Sequence, residues 1–367
     1  MSIKIAFCTD GIFPHKVGGM QRHSKLLVEA LVKYKDLEIT VFHPHSQKVF
    51  DTYSNLKEVS VEEIDVNKNY LKECKAYSKR IYQQLINNNF DVIYSQGLSV
   101  WYKAKVFKDK LIVNPHGLEP YQAIGIKEKL VSIAFKKVFN SIFKEAKYVV
   151  SLGGKLTEIL TKYTAKHKIV LLPNATNLPI HLDDNRNNTQ ILQFLFVSRF
   201  AKNKGIHILM DVINQLNAKG YSKNFFFHLA GKGPLFKKYS TQYAYSNVKY
   251  WGFISDEDLK QLYQTVDVFV FPTLFEGMPT VVLEAMSNQL PIIVTDVGAT
   301  AELVDESNGF LIERNQPKQL MDAILKFSNL SNSHKQKLGK VSYQKVKDNF
   351  TWQAVAQKHY NLFKQIK

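Results

Sequence analysis

Residues 267–286 read DVFVFPTLFEGMPTVVLEAM, and this stretch holds the repeating unit of the chain. Val268 to Phe271 are a run of β-branched and aromatic residues, the composition of a strand. Glu276-Gly277 begins the turn after it, and PTVVLEAMSNQ (279–289) has helical character with a proline suited to a first turn. Strand, turn, helix is the outcome. The same alternation runs outward in both directions. IKIAFCTD, EITVFHPH, DVIYSQG, LIVNPHG, YVVSLG and IVLLPN lie in the first half, and QFLFVSRF, FFFHLAGKG, VKYWGFI, PIIVTDVG and GFLIE in the second, separated by helix-period segments such as SDEDLKQLYQTV. That rhythm argues βαβ units and parallel sheets, hence an α/β class. It is interrupted once, by the polar, Asn-rich residues 176–190, which read as a linker. Two doubly wound domains are predicted: 1–175 and 191–350, with a final helix over 351–367 that packs back on the first. Ligands of such sheets sit at the carboxyl ends of the strands.

Length and composition agree. The chain has 367 residues, 45% hydrophobic and 22% charged, which fits two packed domains and excludes wholesale disorder. Two cysteines, Cys8 and Cys74, offer no disulfide framework and suit a reducing compartment. The N-terminal MSIKIAFCTDG is too short for a signal segment, so a cytoplasmic location is expected. The charge is the outlier: 49 Lys plus Arg against 32 Asp plus Glu, a formal net of +17. Such a surface attracts polyanions such as anionic lipid or phosphorylated substrates, and a lysine-rich proteome accounts for it equally. No zinc-finger spacing, RNP-type run or basic heptad helix supports nucleic-acid binding. Residues 121–148, YQAIGIKEKLVSIAFKKVFNSIFKEAKY, read either as a basic amphipathic helix or as a core helix with a solvated lysine face.

Candidate binding residues follow the strands. Gly18-Gly19 precede a helix-period run, whose exposed N–H groups can receive a phosphate. In VSRFAKNKG, Arg199 ends a strand and Lys204 follows five residues on, so both cations can reach one diphosphate and neutralise charge that develops on it. In LAGKGPL, Gly231 and Gly233 permit close approach of backbone to a flat or charged ligand. No G-x-x-x-x-G-K-[ST] is present, which disfavours a P-loop ATPase. Around the opening turn, Gly277, Met278 and Thr280 present N–H groups at a helix start, an anion site, with a carboxylate at each edge, Glu276 and Glu284. Burial of Glu284 behind TVVL needs a partner. A nucleotide sugar reconciles these features: phosphates for the amides, sugar hydroxyls for one carboxylate, ribose hydroxyls for the other. His43 and His45, without a third ligand, read as a strand terminus.

FEGMPTVVLEA resembles the E-x7-E signature of the GT-B glycosyltransferases of family 4. The rest fits in order along nearly the whole chain: Gly18-Gly19 the glycine-rich loop, NPHG (114–117) the histidine-bearing strand end, LLPNA the hinge entry, VSRFAKNKG the phosphate clamp and AGKGPL the base-pocket turn. The resemblance implies two Rossmann-like domains facing a central cleft. It also implies retaining transfer of a sugar from a UDP- or GDP-sugar without a metal or other cofactor. On that reading Arg199 and Lys204 hold the diphosphate, Glu284 the ribose and Glu276 the sugar hydroxyls. The turn of Gly277, Met278, Pro279 and Thr280 assists, and His116 faces the donor sugar, where a plain core histidine is the alternative. A glycan or lipid-linked acceptor, cell-surface polysaccharide assembly and a peripheral seat on the inner membrane face through 121–148 complete the expectation. One departure stands: after LLPNA the family continues with a glycine and an aspartate, whereas here Thr176-Asn177 follow Ala175. A non-catalytic partner protein of the same fold, or a sugar-nucleotide epimerase or hydrolase, is the alternative reading.

Overall fold

The computed structural model describes residues 2–62, 69–123, 125–182 and 190–367, with backbone alone at 127 and 128. The expected linker, 176–190, therefore falls partly outside the described residues, at 183–189. The chain forms two compact units, Met1–Asn174 with Trp352–Lys367, and Ala175–Thr351.

In the N-terminal unit the strands are β1 (Ile3–Cys8), β2 (Leu37–His43), β3 (Leu56–Ser60), β4 (Val92–Gln96), β5 (Leu111–Asn114), β6 (Tyr148–Ser151) and β7 (Ile169–Leu171). Among the described residues they form one parallel sheet in the order β3-β2-β1-β4-β5-β6-β7. Its helices are α1 (Gly19–Leu31), α2 (Tyr70–Ile86), α3 (Ile126–Glu145) and α4 (Gly154–Leu160). In the C-terminal unit β8 (Leu192–Val197), β9 (Phe225–Ala230), β10 (Val248–Gly252), β11 (Val268–Phe271), β12 (Ile292–Thr295) and β13 (Gly309–Ile312) form a second parallel sheet, β10-β9-β8-β11-β12-β13. The helices between and after them are α5 (Ile206–Ala218), α6 (Phe236–Gln242), α7 (Asp256–Thr265), α8 (Thr280–Ser287), α9 (Pro317–Ser328) and α10 (Asn332–Asn349). Helix α11 (Trp352–Ile366) belongs to the N-terminal unit. Both sheets are doubly wound, and in each the strand order reverses beside the first strand, between β1 and β4 and between β8 and β11. Those are the switch points where the carboxyl ends open a crevice.

The strand runs owe their legibility to this topology. Strands β4, β5, β11 and β12 are buried along their whole length, so each reads as a continuous apolar stretch. Strand β3, LKEVS, escaped notice because it is a half-exposed edge strand whose lysine and glutamate break the apolar pattern. Its Glu58 accepts from the Val49 amide at 2.8 Å and meets His43 Nε2 at 3.1 Å. His43 Nδ1 in turn accepts from the His45 amide, and His45 Nε2 from the Ile12 amide, so this histidine pair ties a strand end together. Asn69, Ser255 and Ser331 accept from the third residue beyond them and start α2, α7 and α10.

Within 121–148 the helix begins at Ile126, after a 3-10 turn over Glu119–Tyr121, because Pro120 and Gly125 break the preceding segment. Helix α11 buries Trp352, Val355, Ala356, His359, Leu362 and Phe363, a 3.6-residue stripe laid against α1 and the sheet. Tyr360 stacks on Tyr34 at 4.4 Å and donates to Asp36 at 2.6 Å. Among the described residues no helix is long and apolar enough to cross a membrane.

Candidate active site

In the C-terminal unit the expected residues gather at the switch point. The loop after β8 carries Arg199 and Lys204, and the loop after the neighbouring β11 carries Glu276. The two loops are stitched by backbone: Leu274 N–H donates to Asn203 O at 2.9 Å, and the Thr273 hydroxyl lies 3.1 Å from the same oxygen. That docking sets Lys204 Nζ 2.5 Å from Glu276 Oε1, with both side chains mostly buried. Thr273, fully buried, donates to the same Glu276 Oε1 at 3.2 Å and so helps hold the carboxylate. Arg199 stays exposed, and its guanidinium has neither hydrogen bond nor ion pair among the described residues. A cation paired with a carboxylate beside an unpaired guanidinium can receive an anion and a hydroxyl-bearing group at adjoining positions.

Glu284 lies on α8, eight residues beyond Glu276. Its partner is Tyr263 on α7, whose hydroxyl donates to Oε2 at 3.2 Å. Burial, and then the carboxylate beside it, push the Tyr263 phenol well above its usual range, so it stays a donor. Pro279 takes the N-cap position rather than the first turn, and Met278 is buried, leaving its backbone to the loop. At Gly231, with φ +122°, a Cβ would stand 1.9 Å from Ser198 O, and at Gly233 one would stand 2.6 Å from Phe200 O. The close approach expected at these glycines is met by the protein's own β8 loop, which they let settle against the β9 turn.

Gly298 was not foreseen. It follows β12 with φ +59°, and a Cβ there would meet the carbonyl oxygens of Glu276 and Gly277 at 2.3 Å each, while Ala299 N–H donates to Gly277 O at 2.8 Å. Gly298→Ala is expected to destabilise the protein by about 1–3 kcal/mol and displace the Glu276 turn. Urea denaturation checks this, and a midpoint equal to wild type would mean that the loop is slack.

The N-terminal unit places Gly18 and Gly19 at the start of α1, where a Cβ on Gly19 meets nothing within 4 Å. His116 follows β5 with φ +56°, a left-handed conformation held by its N–H donating to Asn114 Oδ1 at 3.0 Å. Asn114 Nδ2 donates to the Tyr94 hydroxyl at 3.1 Å, and Tyr94 meets His359 Nε2 at 3.0 Å. His359 Nδ1 lies 2.8 Å from Val355 O, so it carries the proton and Tyr94 donates. A relay from α11 thus steadies the His116 backbone. The His116 ring bonds through Nε2 to the side-chain amide of Gln96. Burial lowers its pKa to about 3, so the ring is neutral. His23 lies edge-on to it at 5.2 Å and packs on Trp352 at 5.5 Å. Neither His23 ring nitrogen, nor Gln96 Nε2, nor Trp352 Nε1 has a hydrogen-bond partner among the described residues. His23 and Gln96 went unread in the sequence, since only the fold brings α1 and the end of β4 to His116.

Comparison with known proteins bears on the family and the fold. The model for Glycosyltransferase Family 4 matches residues 17–178, and that for Glycosyl transferases group 1 matches residues 192–329, one in each unit. This chain is a glycosyltransferase of the GT-B fold, akin to family 4. It is 27% identical over 333 residues to the uncharacterized glycosyltransferase MJ1178 of Methanocaldococcus jannaschii, covering 85% of each chain. The capsular polysaccharide biosynthesis glycosyltransferase CapM of Staphylococcus aureus is 30% identical over 179 residues, 46% of this chain and 45% of that protein. Among solved structures, Alr3699/HepE of Anabaena in complex with UDP superposes with a TM-score of 0.70 over the full length of both chains at 16% identity, a likeness of fold. Relatives of this glycosyltransferase therefore include proteins of capsular polysaccharide biosynthesis.

Proposed function

We propose that this glycosyltransferase moves a sugar from a UDP- or GDP-sugar to a glycan or lipid-linked acceptor in cell-surface polysaccharide assembly, with retention at the anomeric carbon and without a metal. The observation that carries the reading is the Lys204 and Glu276 pair beside Arg199 at the β8/β11 switch point. In a sugar nucleotide, the β-phosphate and the sugar ring are adjacent, so one needs a cation where the other needs a hydroxyl acceptor. Lys204 and Arg199 take the diphosphate, Glu276 the sugar hydroxyls, and Glu284, steadied by Tyr263, the ribose. Amides of Gly277, Met278 and Thr280 assist at the start of α8. In the reaction, the bond from the anomeric carbon to the phosphate oxygen breaks. The acceptor oxygen bonds to that carbon on the same face, and its proton passes to the departing phosphate. Arg199 and Lys204 stabilise the negative charge left on the nucleoside diphosphate. His116, neutral and held through Nε2 by Gln96, brings no charge to the donor sugar's side of the site. A lipid-linked acceptor would keep the enzyme at the inner face of the cell membrane.

A thermal-shift and hydrolysis panel with UDP- and GDP-sugars tests this on wild type and Glu284→Ala. One donor class should raise Tm in the wild type, and the variant should bind it about 10- to 100-fold more weakly, as expected for loss of a buried charged hydrogen bond. No response to any nucleotide sugar would sink the reading.

A further inference from the structure

Strand β13 (Gly309–Ile312) ends the C-terminal sheet, and among the described residues no strand pairs with its outer edge. In a parallel strand alternate residues turn both backbone groups to the same side. Asn308 and Ile312 give their carbonyls to β12, accepting from Ile292 and Asp296 at 3.2 and 2.7 Å, so Gly309, Leu311 and Glu313 face outward. Two of those outward amides are taken: Gly309 N–H donates to Asp305 O at 3.0 Å, and Glu313 N–H to Gln319 Oε1 at 2.8 Å. The Leu311 N–H, its carbonyl and the Gly309 carbonyl have no hydrogen-bond partner among the described residues, and Leu311 is 38% exposed. Along this edge lies a groove of about 620 Å³. It is lined by one stripe of α9, Gln319, Asp322, Ala323 and Lys326, and by Asp305 and Glu306 of the turn before the strand.

A donor between two acceptors at strand spacing, with a helix alongside, is what an extended polypeptide recognises when it adds itself to a sheet. Free sheet edges invite such pairing, and proteins ordinarily blunt them with lysine or proline. Strand β13 carries neither. Residues 302–313 hold four carboxylates and no lysine or arginine, in a chain whose formal net charge is +17. Asp305 is bridged to Lys345 at 2.6 Å, while Glu306, Glu313 and Asp322 are exposed and have no ion pair among the described residues, against the one cation of Lys326 in the groove. We propose that the groove between β13 and α9 is a docking site for an extended, lysine- or arginine-bearing peptide segment of another protein. Its backbone pairs with Leu311 and the Gly309 carbonyl, and its cations meet Glu306 and Asp322. The groove lies two strands beyond β11, whose loop carries Glu276, so peptide docking and nucleotide recognition can each fail while the other stands.

Fluorescence anisotropy of the full chain with a labelled Lys-Val-Lys-Val-Lys-Val-Lys peptide tests it. The net charge of the chain repels this probe, so binding has to come from a local acidic site. The wild type should bind it and ignore Glu-Val-Glu-Val-Glu-Val-Glu, and the bound peptide should slow hydrogen exchange over residues 309–313. Asp322→Lys should weaken binding at least about tenfold, whereas Glu158→Lys, an equal change of charge at an exposed position of α4, should leave it unchanged. Leu311→Pro, which removes the outward N–H and no bond to β12, should weaken it about fivefold. Both lysine variants alter exposed side chains and should melt as the wild type does; if Leu311→Pro does not fold, the exchange result stands in its place. The proposal is overturned if the wild type does not bind the basic peptide, if the acidic peptide binds as well, or if Glu158→Lys loses as much as Asp322→Lys. Exchange over 309–313 that the peptide leaves unmoved would overturn it too, as would a dimer that Asp322→Lys breaks, which would make a second copy the occupant.

Discussion

Lys204→Ala should lower the rate of sugar transfer by on the order of a hundredfold to a thousandfold, the scale on which a positioned group that stabilises transition-state charge contributes. In the proposed mechanism the residue stands where charge accumulates as the donor bond breaks, and its Nζ is 2.5 Å from Glu276 Oε1. Removing it withdraws a cation from the departing diphosphate. It also takes from Glu276 its cation, while the Thr273 hydroxyl still donates to the carboxylate. A modest stability loss of about 1–3 kcal/mol accompanies a mostly buried carboxylate deprived of its cation. Comparing kcat with Tm separates the two effects, and Lys204→Arg, which restores charge without the same reach, should recover stability more than turnover. Turnover unchanged in Lys204→Ala would remove this residue from the chemistry.

The second large effect is acid destabilisation. His359 and His23 are fully buried, and burial holds His359 down to about 4 and His23 well below its ordinary range, with His116 beside it adding to the effect. In the unfolded chain both titrate near 6.5. Between that value and about 4 the unfolded chain takes up protons that the folded one refuses. The neutral rings' contribution is therefore fully present above the unfolded value and is lost as pH falls through that window. From about pH 7 to pH 5 His359 alone should cost about 2 kcal/mol, and His23 adds to the loss in the same direction. Urea midpoints at the two pH values measure it. His359→Gln should be less stable at pH 7 yet have a flatter pH dependence, and a wild-type midpoint that does not move would refute the account.

Particular residues show what the sequence could disclose. Strands buried on both faces announce themselves as apolar runs, and Arg199, Lys204, Glu276 and Glu284 are polar residues at their ends, so the architecture and the candidate donor residues were readable together. Strand β3 was not, because an edge strand owes its place to a neighbour rather than to its own apolarity. Thr273, Tyr263 and Gly298 were hidden for another reason. Each acts on a residue in another segment, Thr273 on the β8 loop, Tyr263 on Glu284 across α7 and α8, and Gly298 on the Glu276 carbonyl, and no local pattern marks such service. The relay from His359 to His116 spans more than two hundred residues of chain and is invisible to any window.

The return of α11 to the first unit has a bearing on biogenesis. Residues that close the N-terminal core, Trp352, His359 and Phe363 among them, leave the ribosome only after all of Ala175–Thr351. Domains of nascent chains ordinarily complete themselves in the order they are made. Here the later-made unit is whole first, while the earlier one waits with the groove beside α1 uncovered, the interval in which a chaperone has something apolar to hold.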